Sequence, residues 1–119
     1  MAICLNSDGI HAWKAAGSES HTDLGARVVA IRLLLSDSSK KDVGIFLISA
    51  YAPVGNAPDV IWNDFFDKLS TCISRKRAED ILVIGADCNA SMGLDATRNS
   101  PLGRFGLSYV NASGKRFLS

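Results

Sequence analysis

The chain has 119 residues, 47% hydrophobic and 21% charged, with 13 Lys and Arg against 12 Asp and Glu. These proportions exclude collagen, coiled coil and wholesale disorder, and a chain of this size buries roughly two thirds of its unfolded surface, enough for one core. The near-neutral total hides an asymmetry, because residues 1–67 hold five basic and eight acidic side chains and residues 68–119 hold eight and four.

The first residues carry Asn6, Ser7, Asp8 and Lys14 among apolar neighbours, too polar for a secretory signal, so an intracellular protein that is not secreted is expected. Asn-Ser-Asp-Gly at 6–9 lies between the apolar runs 1–5 and 10–13 and predicts a hairpin whose first strand opens at the first residue. A strand that starts so abruptly predicts a missing neighbour. His11 and His21 stand in loop-like segments with no motif around them and read as surface or turn histidines. Cys4, Cys72 and Cys88 are odd in number and widely spaced, which predicts buried thiols in a reducing compartment and argues against a disulfide framework or a zinc site.

Residues 27–35 (RVVAIRLLL) and 43–51 (VGIFLISAY) are rich in β-branched and aliphatic side chains. Joined by the polar segment 36–42, they predict an antiparallel pair. No apolar run approaches the about 20 residues that cross a bilayer, so no membrane contact is expected. From Pro58 the period changes. Ile61, Phe65, Leu69 and Cys72, with Trp62, Phe66 and Ile73 beside them, recur at helical spacing and predict a helix packed on a sheet. Pro58 and Asp59 suit its start, and Arg75, Lys76 and Arg77 its finish. Residues 81–84 (ILVI) read as a strand covered on both faces.

Strand, helix, strand with a parallel crossover places the carboxyl ends of the strands near Tyr51 and Ile84 on one edge, where open α/β sheets bind ligands. Tyr51, Asp87 and Asn89 meet there. Asp87 and Asn89 stand two apart, so extended backbone aims both at one ligand and turns Cys88 into the core. A carboxylate accepts a proton or binds a hard cation, an amide both donates and accepts, and a phenol donates. The same Asp and Asn after a strand also make a simple Asx turn, and a Tyr at a strand end also serves as packing. After Asp95 no acidic side chain remains, while Arg98, Arg104, Lys115 and Arg116 alternate with Phe105, Tyr109 and Phe117. That mixture suits either a polyanion or an ordinary solvated surface.

At these residues the chain resembles the endonuclease/exonuclease/phosphatase superfamily. SAYAP (49–53) looks like the family's Tyr-Ala-Pro segment, and GADCNA (85–90) looks like its Gly-Gly-Asp-Phe-Asn-Ala motif. The tail, LGRFG (102–106) followed by NASG (111–114), is similar to the Gly-x-His-Gly and Asn-x-Asn-Gly signatures of endonuclease domains of non-LTR retrotransposons and of craniofacial development proteins. The resemblance implies an α/β fold, a DNase I-like four-layer α/β sandwich, partial here, with mixed sheets and one clear β-α-β crossover. Residues 1–119 would be the central portion of a single such domain, truncated at both ends.

Carried over residue by residue, the resemblance implies that Asp87 orients or deprotonates the attacking water. Asn89 would hold a phosphate oxygen or that water, and Tyr51 would stabilise the phosphorane charge. Beside that carry-over, the acid-free tail with Arg98, Arg104, Lys115 and Arg116 tilts the expected partner toward nucleic acid, here DNA. The implied activity is Mg²⁺-dependent (or Mn²⁺-dependent) hydrolysis of DNA phosphodiesters, with a reverse transcriptase domain in the same parent polypeptide and Asp87 as a possible metal ligand. The family's metal-binding Glu and terminal Asp-His pair have no counterpart here, Cys88 stands where the family has Phe, and Phe105 where it has His. The expectation is therefore a segment inactive by itself. Two alternatives are a non-catalytic remnant or interaction module of the same fold, and a phosphatase acting on a phosphoester other than nucleic acid.

Overall fold

The β-branched runs pair as a hairpin, and the parallel crossover follows it. The computed structural model describes residues 1–39, 41–94, 102 and 106–119. In chain order these form α1 (Ser7–Ala15), β1 (Ser20–His21), β2 (Val28–Ser36), β3 (Asp42–Tyr51), α2 (Asp59–Ser74), β4 (Ile81–Asp87) and α3 (Ala112–Leu118). The described strands make one mixed sheet in the order β1-β2-β3-β4. β2 and β3 are antiparallel, from Ser36 opposite Asp42 to Val28 opposite Ala50. β3 and β4 are parallel, from Ile45 beside Ile81 to Tyr51 beside Asp87.

Alternation decides which side chains are buried. Val28, Ala30, Phe46, Ile48, Ala50 and Ala52 form one face of the sheet and pack with Trp62, Phe65 and Cys72 of α2. The buried stripe of α2 is thus centred on Trp62 and Phe65, whereas Ile61, expected at its middle, is exposed. Phe117 of α3 sets its ring edge-on to Trp62 at 6.0 Å and to Phe66 at 5.4 Å; each such pair contributes about 0.5–1.5 kcal/mol beyond area burial. On the other face α1 packs over β2, and Leu5, Ile10, Trp13 and Ile31 line a shallow cavity of about 300 Å³. Among the described residues no helix is long and apolar enough to cross a membrane.

The expected amino-terminal hairpin is a helix instead. Asn6 makes a cap rather than a turn, its Oδ1 accepting the Gly9 amide at 2.9 Å, while Asp8 lies in the first turn and Lys14 in the last. Charges of those signs at those ends favour the helix dipole, and Ile10 and Trp13 share one face at helical spacing. His11 accordingly lies on a helix and His21 in β1, where it contacts Glu19 and the Phe46 ring.

β4 is exposed along its whole length, with Ile81 at 54% and Val83 at 42% of full exposure, so the expected coverage on both faces is not present. The core is drawn from β2, β3 and α2, and among the described residues β4 has β3 alone as its sheet neighbour. Of the thiols, Cys72 is buried, Cys88 half-buried and Cys4 exposed, so burial of all three does not hold. Burial pushes the Cys72 thiol above its ordinary pKa.

Candidate functional site

The parallel ladder between β3 and β4 ends on the pair Tyr51 and Asp87. Neighbouring strands lie about 4.8 Å apart, and register partners point to the same face, so a phenol and a carboxylate stand side by side at one edge. Both are exposed, Tyr51 at 39%. The Ala52 amide donates to the Asp87 carbonyl at 2.9 Å, which carries the pairing one residue past the strand ends and fixes their separation.

Asp87 and Asn89 do not extend the strand's alternation. Asp87 Oδ1 accepts the Asn89 amide at 2.9 Å, which closes an Asx turn, and Asn89 takes a left-handed backbone with φ +46°. Asparagine tolerates that region better than bulkier residues do. Its Nδ2 donates to the Ala52 carbonyl at 2.9 Å, tying the loop after β4 to the end of β3. Asn89 is therefore brought to the same rim, but through a backbone clamp rather than by extended geometry. Cys88 is half-buried, and burial first, with the Asp87 charge second, raises its thiol pKa.

A second asparagine builds the loop from below. Asn111 Oδ1 accepts the amides of Ser91 at 3.0 Å and Gly114 at 2.8 Å, and its Nδ2 donates to the Asn89 carbonyl at 3.3 Å. It caps α3 and holds the 89–91 loop with one side chain. Gly114 is required by contact, since a Cβ there would strike the Ser91 carbonyl oxygen. The NASG spacing was the signal for this cap, an Asn followed three residues later by a buried glycine.

The carboxyl-terminal cations divide. Arg116 pairs with Asp59 at 2.5 Å and lies over the Trp62 ring at 5.3 Å, so it ties α3 to α2. Lys115 is exposed on α3. Arg98 and Arg104 lie outside the described residues. Among the described residues no group of three or more His, Cys, Asp or Glu side chains is placed to hold a metal ion. The donors present at the rim do not amount to a Mg²⁺ or Mn²⁺ site, because Asp87 brings a single carboxylate. A cavity of about 270 Å³ between α2 and the start of β2, lined by Val28, Phe65 and Lys68 among others, does not include Tyr51, Asp87 or Asn89. No family model, curated protein or solved structure matches this chain.

Proposed function

We propose that this chain is the central part of a DNase I-like four-layer sandwich of the endonuclease/exonuclease/phosphatase superfamily, of the retrotransposon type, whose whole domain hydrolyses DNA phosphodiesters. The observation that carries the reading is the register pair Tyr51 and Asp87 at the carboxyl ends of two parallel strands. The exposure of β4 on both faces also supports it, since further layers of a sandwich would cover that apolar strand.

In this reading Asp87 orients the attacking water and takes its proton, while the Tyr51 hydroxyl donates to the oxygen on which charge accumulates. Asn89 holds Asp87 and the β3 end in register through its hydrogen bonds to both. Losing one oxyanion donor of this kind typically costs about 10²–10³ in rate. The divalent ion that such hydrolysis uses would take its remaining ligands from outside the described residues.

One observation favours the second reading, a non-catalytic module of the same fold. Asp87 Oδ1 and Asn89 Nδ2 are both engaged by backbone, as a purely structural loop requires. Plasmid nicking by the chain extended through its flanking coding sequence separates the two. Nicking that falls at least about 100-fold in Asp87→Ala supports hydrolysis. Nicking undiminished by that substitution refutes the assigned role, and absence of nicking with Mg²⁺ and with Mn²⁺ selects the module.

A further inference from the structure

Beside Tyr51, in the turn just ahead of β2 and on the side of β3 away from β4, stands a cation that the motifs do not use. The Tyr51 amide donates to the Arg27 carbonyl at 2.9 Å, so Arg27, Tyr51 and Asp87 form a row across the starts and ends of three adjacent strands. The Arg27 guanidinium lies over the Tyr51 ring, 5.4 Å from its centroid. Its Nη1 donates to the carbonyls of Tyr51 at 3.3 Å and Ala52 at 3.4 Å. Arg27 is half-buried, yet among the described residues no carboxylate pairs with it. The other cations near the sheet differ, for Arg32 is paired with Asp80, Arg75 with Asp23 and Arg77 with Glu19.

A guanidinium presents five donors in a fixed fork that matches a phosphate. Here one nitrogen is used on carbonyls at long distance, and the guanidinium rests over the Tyr51 ring. We propose that Arg27 is a phosphate-gripping residue of the Tyr51–Asp87 rim, binding a backbone phosphate of the nucleic acid whose scissile group lies at Asp87; this rests on the phosphodiester reading above. Stacking on Tyr51 couples the two contacts, so the phosphate held by Arg27 also sets where the phenol stands.

The test is the salt dependence of binding to a fluorescein-labelled 20-base-pair duplex, followed by anisotropy without added divalent metal. Each phosphate contact contributes about 0.9 to the slope of log affinity against log salt for B-form DNA. Arg27→Gln is expected to lower the slope by about one contact and to weaken binding about tenfold or more at low salt. Arg27→Lys is expected to keep the slope, and Lys14→Gln, on α1 away from the rim, to change nothing. A merely structural arginine would shift the melting temperature and leave the slope alone, and that result overturns the proposal while sparing the nucleic-acid reading. No salt-dependent binding by the native chain overturns both. Protection of Arg27 from phenylglyoxal by the same duplex, mapped by peptide mass spectrometry, gives the answer without substitution; full modification in the presence of saturating duplex overturns the proposal.

Discussion

Replacing Asp80 by alanine leaves a buried cation without its partner. Arg32 of β2 reaches across β3 to Asp80, just ahead of β4, donating from Nε and Nη2 to the two carboxylate oxygens at 2.8 Å each. The two side chains are only 9% and 1% exposed. They cross β3 at Gly44, where a Cβ would strike both, so a glycine in mid-strand makes room for the bridge. Breaking one side of a buried pair costs about 3–5 kcal/mol, whereas replacing both by well-packed apolar residues is often neutral or better. Against a total stability of about 5–15 kcal/mol, Asp80→Ala is expected to lower the melting temperature by about 10–20 °C, at about 4 °C per kcal/mol. Arg32→Met with Asp80→Leu is expected to stay within about 1 kcal/mol of native. Thermal and urea unfolding followed by the fluorescence of Trp13 and Trp62 together measure both. A loss below about 1 kcal/mol in Asp80→Ala, or a double variant as unstable as the single, refutes the reasoning.

Acid should act through the paired carboxylates. The Arg75 guanidinium first, and backbone hydrogen bonding second, hold the Asp23 carboxyl down from 3.8 to about 2; the Arg32 guanidinium likewise lowers Asp80. Both folded values are depressed, so their stabilisation is complete above the ordinary carboxylate value and is lost as pH falls toward and through the folded ones. Urea midpoints between pH 6 and 2 should therefore fall mainly below about pH 4, less steeply in Asp23→Asn; an unchanged pH profile in that variant contradicts the pairing. Asn111→Ala should cost about 1–2 kcal/mol, since it removes a helix cap and both ties to the 89–91 loop. Hydrogen exchange should show the Ser91 and Gly114 amides losing protection while β2 and β3 keep theirs. Gly114→Ala should free the same two amides by displacing α3 from the Ser91 carbonyl; retained protection there would contradict the contact.

Much of the sheet was legible because its signals are local. Residues 27–35 and 43–51 are rich enough in β-branched and aliphatic side chains to name β2 and β3, and Pro58 with the aromatic stripe marks α2. The first segment misled because Asn-Ser-Asp-Gly serves a turn and a helix cap equally well, and only Ile10 and Trp13 on one helical face decide between them. ILVI shows that β4 tolerates burial, but nothing in a run of aliphatic residues states what covers it. At the rim, Tyr51 and Asp87 follow from the strand ends. The bond from Asn89 to the Ala52 carbonyl is non-local and unsigned in sequence. Arg27 carried a signal that motif reading passes over. Once Ser36 is set opposite Asp42, the hairpin register runs back to Arg27 opposite Tyr51.

The most direct check on the rim is an amide NMR titration of the native chain with a short DNA duplex. Shifts concentrated at Arg27, Tyr51, Ala52 and residues 87–89, saturating together, are the predicted result. Perturbations confined to α1 or the outer face of α2, with those amides unmoved, would contradict the assignment of this edge as the site.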